Sequence, residues 1–549
     1  MSNYRKEATI NSALWAAYAD ALGFITELAK SKGTIKTRSG SEVILDTLPW
    51  KRKLDGIYGT QVQLPAGAYS DDTQLRLSTS RAINGSGYFD VEAFAKCELP
   101  VWLSYALGAG RGTKIATNNL IKKSVNWFSN FYSSKESRYV YGGGNGAAMR
   151  IQPHVWAATD LHDLETYIVD VIRNSVVTHG HPRAIAGAML HSLSLARVLR
   201  QEKLSVDTLK DDARICSRAS FFVAQDDMLE TFWSNQWEAE SAKSLDYAFS
   251  EVADELINDL EVTSDWLQSK KLDYRTLSDL LGLKDEAQRG SGSKTALAAS
   301  LLLLKSYQIS DQKALIIDVV NELQTDTDTI ATMFGALYGA SINVPPLGLV
   351  QDVDYIVSEA QRMYDISTGK EVDSFVYPDA LSWSPNRSSL DNAEIINDQL
   401  TLALFGNLTP LSPAFGEKKK DFLYKWYRTQ QGFSILLKRR VWEDFSDGQL
   451  GTFPNSRVNH LSDTNSVKSE ASESVLSQTT PNESSGFQQH PSKIIDMKAL
   501  TKEAIDSNFD DAVIGRHIKI LANRKNYSLE SVVAYSSIIA HAMGSDAIN

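Results

Sequence analysis

Apolar residues recur at three- and four-residue spacing along most of the first 350 residues. The pattern is clearest in 6–30, 88–107, 162–200, 243–268, 294–306, 311–323 and 328–341. This spacing places apolar side chains on one face of an α-helix, whereas the alternation typical of strands is scarce here. The pattern therefore predicts a mostly α domain over residues 1–350.

Two long segments interrupt the helical pattern. Residues 31–67 and 108–150 are rich in glycine and polar side chains and show no clear period. Loops of this length inside a compact domain are usually either functional or mobile. Both segments are therefore predicted to be loops with one of these roles.

The pattern changes after residue 350. The stretch "FLYKWYRTQQGFSILLKRRVW" (422–442) places aromatic and β-branched residues on both sides of a Gln-Gly pair, which predicts a β-hairpin. Serine, threonine and asparagine then dominate, with few large apolar groups, and three short amphipathic helical patterns follow. The predicted parts are a main domain (1–350), an extension with the hairpin (351–451), a flexible linker (452–492) and a small helical bundle (493–549).

Composition narrows the class of protein. The 549 residues are 43% hydrophobic and 22% charged, enough for a full core. No apolar run approaches the ~18 residues of a membrane span, and the N-terminus lacks a signal-peptide cleavage pattern, so a cytoplasmic location away from membranes is expected. Two cysteines exclude a disulfide framework and a four-thiol zinc site, which leaves oxygen or histidine ligands for any metal. A net charge of −11 argues against nucleic-acid binding by the chain as a whole.

Acidic residues begin two of the predicted helices. Ser70 is followed by Asp71 and Asp72, and this arrangement suits an N-cap with two carboxylates facing the positive end of the helix dipole. Asp326 and Asp328 precede another apolar helix, where capping accounts for one aspartate but not for both.

The same residues form an oxygen-only ligand set. Four carboxylates with neighbouring hydroxyls suit Mg²⁺ or Mn²⁺. If the two helix starts converge, their like charges would repel unless divalent cations neutralise them. Helix capping and metal binding both remain open at this point, because about 250 residues separate the two acidic pairs.

A glycine-rich stretch, "YGGGNGAAMR" (141–150), is a second candidate site. Its glycines let backbone N–H groups approach a phosphate closely, and Asn145 could donate to a ribose. The alternative is an ordinary turn entering a helix. Arg150 could pair with a phosphate or with a helix neighbour.

Five motifs together resemble the ADP-ribosylglycohydrolase family, which includes the dinitrogenase reductase-activating glycohydrolase and the ADP-ribosyl-acceptor hydrolases. The resemblance covers roughly the first 345 residues. In the family's order, the motifs are "ADALGFITE" (19–27), "SDDTQ" (70–74), "GNGAAMR" (144–150), "THGHPRAIAGA" (178–188) and "TDTDTIATMFGALYGA" (325–340).

The resemblance implies an all-α orthogonal bundle with a two-magnesium centre, in which Mn²⁺ is an alternative ion. It implies hydrolysis of the glycosidic bond at C1 of the distal ribose in ADP-ribosylated acceptors, whether protein, nucleic acid or small molecule. A module that binds ADP-ribose without cleaving it is the alternative function.

The resemblance also assigns residues. Metal ligands are expected at Ser70, Asp71, Asp72, Asp326, Asp328 and Thr329. Glu27 matches the carboxylate that activates water in serine-cleaving members, whereas arginine-cleaving members favour an aspartate of the "SDDT" motif, here Asp71 or Asp72. Read from its position alone, Glu27 is equally typical of a solvated charge near a helix end.

The remaining assignments concern the ligand. Gly144, Asn145 and Gly146 match the loop that lies against ADP-ribose, and His179 matches a ligand contact, with helix capping as the alternative for either histidine of the "THGH" stretch. Ala19 and Gln324-Thr325 replace glycines of the family pattern, which adds side chains close to the expected metals.

The predicted hairpin carries unusual charge. Residues 418–440 contain eight Lys or Arg and one Asp, a local charge of +7, interleaved with Phe422, Tyr424, Trp426 and Tyr427. Basic side chains with stacking aromatics would suit a polyanion or an acidic protein partner. The alternative is that the aromatics pack on the main domain while the basic side chains are solvated.

Overall fold

The computed structural model describes residues 2–56, 58–135, 137–269, 271, 273–309, 313–342, 344–378, 383–416, 422–440, 497–522 and 529–546. These residues form two compact units. The first contains the described residues up to Tyr377 and from Ser384 to Arg440, and the second contains Pro378, Trp383 and the C-terminal helices. The linker predicted at 452–492 lies outside the described residues. The domain boundaries stay predictions.

The first unit is mainly α-helical, as predicted. Its helices are α1 (Ser2–Thr26), α2 (Lys32–Ser39), α3 (Asp71–Ala82), α4 (Val91–Ala93), α5 (Leu99–Trp102), α6 (Arg111–Leu120), α7 (Gln152–Ala157), α8 (Ile168–Val176), α9 (Pro182–Leu199), α10 (Val206–Cys216), α11 (Ala219–Val223), α12 (Ser234–Ser241), α13 (Leu245–Val262), α14 (Ser264–Gln268), α15 (Tyr274–Leu280), α16 (Gly292–Ser306), α17 (Lys313–Asn321), α18 (Thr327–Ser341) and α19 (Val353–Ser367). Two π-helical turns, Phe94–Glu98 and Leu229–Trp233, and four 3₁₀ turns complete the helical part described.

Three small antiparallel sheets accompany the helices. Strands β1 (Trp50–Leu54) and β2 (Thr60–Leu64) form a hairpin in which Trp50 lies opposite Leu64. Two three-stranded sheets follow α19. They are β3 (Ala393–Ile396), β4 (Gln399–Leu402) with β5 (Gly406–Asn407), and β6 (Thr409–Pro410), β7 (Phe422–Arg428) with β8 (Ser434–Arg440).

The C-terminal predictions are confirmed where the structure describes them. Strands β7 and β8 form the predicted hairpin, and Gly432 at its tip has φ 100°, the left-handed conformation that glycine adopts readily. The second unit contains three helices, α20 (Met497–Asp506), α21 (Asp511–Ala522) and α22 (Leu529–Asp546).

The main differences from the prediction lie in the segments without a clear period. Residues 31–67 contain α2 and the β1–β2 hairpin, and 108–150 contains α6. Strands of five residues leave too short an alternation to stand out from a polar background. The helix predicted over 162–200 is divided into α8 and α9, because His181 caps α9 and Pro182 occupies its first position.

The centre of the first unit is the antiparallel pair α1 and α18. Gly335 and Gly339 of α18 lie directly against the α1 backbone, where a Cβ atom would overlap the carbonyl oxygens of Trp15 and Asn11. Ser12 Oγ donates to the Ala336 carbonyl across the same interface, at 2.8 Å. Glycine at these positions therefore sets the separation of the two helices.

No helix in the described part of the chain has both the length and the apolar character that a membrane crossing requires. The cytoplasmic location stays a prediction.

We expect Gly339→Ala to destabilise the first unit by about 1–3 kcal/mol, because the added methyl group forces the two central helices apart. Thermal unfolding followed by circular dichroism measures the effect. Gly33→Ala in α2 is the matched control, since its Cβ would meet only Ser31 Oγ, at 3.6 Å, and helical propensity should then stabilise by about 0.5–1 kcal/mol. Equal stability of the two variants would contradict this account of the interface.

Candidate active site

A cleft of about 380 Å³ opens where several chain segments meet. It is lined by the residues just after α1, the first turns of α3, α6 and α18, and the glycine-rich segment 142–146. His179 and the 286–290 loop complete its wall. Most of the residues selected from the sequence therefore lie around one cavity.

Helix α1 positions the acidic segments of this cleft. The carboxylate of Asp20, which is fully buried, accepts hydrogen bonds from the backbone N–H groups of Ser70 and Thr73, both at 3.0 Å. One turn later, Gly23 allows the backbone of Thr327 to lie against α1, because a Cβ atom there would overlap it. Glu27 follows the end of α1 and lines the cleft. Residues 20 and 23 lie on one face of α1 and Glu27 follows directly after its last turn, so α1 brings three parts of the site together.

The two acidic helix starts converge. Ser70 caps α3 by accepting from the Asp72 N–H at 3.2 Å, and its hydroxyl lies 3.1 Å from Asp72 Oδ2. Thr329 Oγ1, from the first turn of α18, donates to the same carboxylate oxygen at 3.4 Å. Helix capping and convergence are therefore both present.

Burial and like charge act together on these carboxylates. Burial first, and then the charges of neighbouring Glu27 and Asp20, hold the pKa of Asp71 well above its ordinary value. The pKa values of Asp72 and Asp328 are raised well above the ordinary value for similar reasons, and burial also raises that of Asp326. The site therefore has a strong excess of buried negative charge whenever its aspartates are ionised.

One carboxylate oxygen of the cluster is left without a hydrogen bond. Asp72 Oδ1 is buried and has no protein partner, an arrangement that costs free energy unless another group binds there. Among the described residues, no three histidine, cysteine, aspartate or glutamate side chains form a ready-made metal cage. The hydroxyls of Ser70 and Thr329, next to Asp72, would add oxygen donors to any ligand set formed here.

Glu27 is not the freely solvated charge that its position alone allowed. Its side chain is only 16% exposed, and Glu27 Oε2 forms an ion pair with Arg52 of strand β1 at 2.8 Å. The next residue, Leu28, has φ 55°, which ends the helical path after Thr26. The ion pair with Arg52 therefore holds the Glu27 carboxylate at the edge of the cleft.

The glycine-rich segment packs against both α18 and His179. Asn145 Nδ2 donates to Asp326 Oδ2 at 2.9 Å, which links this loop to the acidic cluster. A Cβ atom at Gly146 would lie 2.9 Å from His179 Cε1. Gly144 also lines the cleft, next to the His179 ring. All three predicted residues of this segment are therefore at the site.

Arg150 is absent from the cleft lining. It is fully buried, and its guanidinium donates to the Asn174 carbonyl and to Thr178 Oγ1, both at 2.9 Å. This arrangement matches the neighbour-pairing alternative for Arg150, because its described contacts are with the protein rather than with the cavity.

The Arg150 contact leaves the Thr178 hydroxyl able to donate to His179. Arg150 only donates, so it uses one lone pair of Thr178 Oγ1 and leaves the hydroxyl hydrogen free to point at His179 Nδ1, 2.7 Å away. In that arrangement, Nε2 of His179 carries the ring hydrogen and presents it to the cleft. Burial and the Arg150 charge lower the His179 pKa to about 3, so the ring is a neutral donor at ordinary pH. His181, by contrast, caps α9 by accepting from the Arg183 N–H at 3.0 Å.

The sequence reading missed the start of α6. Gly110, Arg111, Gly112 and Thr113 line the cleft, and no side chain caps this helix. Backbone N–H groups at such a helix start suit an anion. The available signal was the run "GAGRGT" inside a segment that was predicted to be a loop.

The three residues that replace glycines of the family pattern lie in different surroundings. Gln324 is exposed and does not line the cleft, although it has φ 75°, the left-handed conformation that favours the glycine it replaces. Thr325 lines the cleft. Ala19 is buried beside Gly335.

The aromatic residues of the β7–β8 hairpin are mostly buried. Tyr424, Trp426 and Tyr427 are 4–6% exposed, so these rings are not available to stack on nucleic-acid bases. Lys418, Lys419 and Lys420 lie outside the described residues. Packing within the first unit therefore accounts for these aromatics, and the described residues 422–440 give no structural support for a polyanion or protein partner.

The sequence matches a known protein family. The family model described as ADP-ribosylglycohydrolase matches residues 4–369. The chain is 26% identical over 193 residues to the ADP-ribosyl-[dinitrogen reductase] glycohydrolase of Rhodospirillum rubrum, an alignment that covers 34% of this chain and 58% of that protein. The chain thus spans a little over half the length of this relative. A solved structure described as an ADP-ribosylglycohydrolase-related protein complex aligns with 66% of this chain and 99% of its own, at 19% identity and a TM-score of 0.40.

We expect Thr178→Val to release the tautomer of His179, because it removes the hydroxyl that lies 2.7 Å from Nδ1. Nitrogen-15 NMR of histidine-labelled protein should show Nδ1 unprotonated in the unmodified chain from pH 5 to 8 and partly protonated in the variant. Thr178→Ser keeps the hydroxyl and serves as the control. Nδ1 protonated in the unmodified chain would contradict the assignment.

Proposed function

The chain belongs to the ADP-ribosylglycohydrolase family, and from this membership we propose that it hydrolyses the glycosidic bond between ADP-ribose and an acceptor in a Mg²⁺-dependent reaction. The resemblance drawn from the five sequence motifs, and the all-α fold class that it implied, are confirmed by the family match. The activity, the metal and the residues assigned below are proposals.

The observation that carries the proposal is the convergence of the acidic starts of α3 and α18. Thr329 Oγ1 reaches Asp72 Oδ2 at 3.4 Å, although the two residues are 257 positions apart in sequence. Glu27 lies close enough for its charge to raise the pKa values of Asp71 and Asp328. A fold with no catalytic or binding use for this cluster would gain stability by replacing it with apolar side chains.

The residues present suit divalent cations. The donor set consists only of oxygen atoms, and the unpartnered Asp72 Oδ1 adds a free lone pair inside it. The residues that would hold two ions are Ser70, Asp71, Asp72, Asp326, Asp328 and Thr329. Bound Mg²⁺ would supply positive charge that offsets the carboxylates and polarises substrate oxygens. Mn²⁺ accepts the same ligands and is the alternative ion.

Carboxylate side chains of the cleft supply the general base. They also supply negative charge that stabilises the positive charge developing on the sugar. Glu27, held by Arg52 at the cleft edge, is placed to take a proton from an attacking water. Asp71 or Asp72 is the alternative base, and both line the same cavity. Cleavage of a glycosidic bond develops positive charge on the sugar ring, which nearby carboxylates stabilise.

Other residues that line the cleft suit a diphosphate. The uncapped first turn of α6 offers backbone N–H groups, and Gly144 and Gly146 allow close approach of the ligand. His179 adds a neutral N–H donor, and Arg289, which also lines the cleft, adds positive charge. A negatively charged ligand group is therefore best placed beside these donors and Arg289.

We expect Asp72→Asn and Asp326→Asn each to abolish turnover of ADP-ribosyl-arginine or ADP-ribosyl-serine at limiting Mg²⁺ while leaving the circular dichroism spectrum unchanged. Each substitution removes charge from the cation site but keeps the side-chain shape. Asp254→Asn, at an exposed position of α13, is the matched control and should keep full activity. Unchanged turnover in both cleft variants, or full activity in EDTA, would overturn the metal-dependent mechanism.

We expect Mg²⁺ together with ADP-ribose to raise the melting temperature, because a ligand that binds only the native state stabilises it by about 2.7 kcal/mol at 100 times its Kd. Differential scanning fluorimetry measures the shift. A shift in a chain that turns over no substrate would favour the alternative, a module that binds ADP-ribose without cleaving it. No shift at saturating ligand would contradict both functions.

A further inference from the structure

The extension after α19 packs onto the β1–β2 hairpin. Asp55, at the turn of that hairpin, accepts from the Tyr424 hydroxyl and from Lys438 Nζ, the latter at 3.0 Å. Trp426 Nε1 donates to the Gln63 carbonyl on strand β2 at 3.0 Å. Strands β7 and β8 therefore hold both the turn and one strand of the β1–β2 hairpin.

A second connection reaches the start of α3. The Asp352 carboxylate accepts from the Ser434 N–H at 2.8 Å and from Ser434 Oγ at 2.7 Å, both belonging to β8. Asp352 Oδ2 also accepts from the Tyr69 hydroxyl at 2.8 Å. Tyr69 directly precedes Ser70, so the extension contacts both the β1–β2 hairpin and the segment that leads into α3.

The β1–β2 hairpin in turn holds Glu27. Arg52, near the middle of β1, pairs with Glu27 Oε2 at 2.8 Å, and its guanidinium lies 4.2 Å from the centre of the Phe24 ring. The Arg52 side chain is 12% exposed, so its position depends on the strand that carries it. A two-stranded hairpin alone is marginally stable in water, and among the residues that the structure describes no third strand joins this sheet.

We propose that strands β7 and β8 form a buttress for the β1–β2 hairpin, and that Arg52 is a positioning residue which keeps Glu27 at the cleft edge. The buttress lies beyond residue 369, where the family match ends. The role of Arg52 in turnover rests on the hydrolase function proposed above. The mechanical connection from Tyr424 and Lys438 to the hairpin does not rest on it.

The connection is tested by the double variant Tyr424→Phe/Lys438→Met, which removes both donors to Asp55. Hydrogen–deuterium exchange of residues 50–64 should become at least about 10-fold faster, because two hydrogen bonds to a charged group are lost. Lys425→Met is the matched control, since its ammonium lies over the Tyr427 ring and makes no described contact with Asp55. Unchanged exchange in the double variant would overturn the buttress.

Steady-state kinetics of Arg52 variants test whether Arg52 positions Glu27. Arg52→Gln should lower kcat about 10- to 100-fold with KM changed by less than about 3-fold, because a misplaced base slows the chemical step more than binding. Arg52→Lys keeps the charge and should recover part of kcat. Lys53→Gln, which changes an exposed neighbour on the same strand, should match the unmodified chain. An unchanged kcat in Arg52→Gln, or an equal loss in Arg52→Lys and Arg52→Gln, would refute the positioning role.

The two proposals fail in different ways. If the unmodified chain shows no turnover but exchange is faster in the double variant, the hydrolase function and the catalytic role of Arg52 are rejected. The buttress proposal then still holds. Normal turnover in the unmodified chain, combined with unchanged exchange and unchanged kcat in the variants, would reject the buttress and the positioning role while leaving the hydrolase in place.

Discussion

The close antiparallel packing of α1 against α18 is the constraint on which the site depends. Gly335 and Gly339 remove the side chains that would separate the two helices, and Gly23 does the same from the α1 side near the cleft. Because the helices run in opposite directions, the end of α1 meets the start of α18. Glu27 is thereby brought to Asp326 and the rest of the acidic cluster without any loop having to span the core.

The acidic cluster lies where the fold can tolerate it. Helix starts supply backbone N–H groups and a favourable dipole, which partly offset the cost of burying carboxylates. Asp20 uses both of its oxygens to hold the first turn of α3, and the buried Arg76 contributes positive charge behind it. The raised pKa values of the remaining aspartates show that this compensation is incomplete. Local rules of stability are most often broken at sites that bind or react, and this cluster fits that pattern.

Packing of the extension after α19 explains the aromatic and basic composition of the β7–β8 hairpin. Most aromatic rings of the β7–β8 hairpin are buried. Phe405 and Phe433 enclose the guanidinium of Arg81, which forms a buried ion pair with Glu98 at 2.7 Å. Lys438, one of the basic residues, is engaged with Asp55 rather than left free for a partner. Packing, rather than an exposed stacking surface, therefore accounts for the alternation of aromatic and basic side chains.

The sequence by itself determined the helical class, the acidic helix starts, the glycine-rich segment and the C-terminal hairpin. Each of these is a local signal, in which a period of 3.6, a capping residue or a turn-forming pair acts within a few positions. Only the tertiary structure decided that Arg150 turns away from the cleft to contact Thr178, that Asp20 holds α3, and that Arg52 pairs with Glu27. These assignments depend on contacts between residues 25 to 53 positions apart, and which of the available partners a buried polar group meets is decided by how the helices pack.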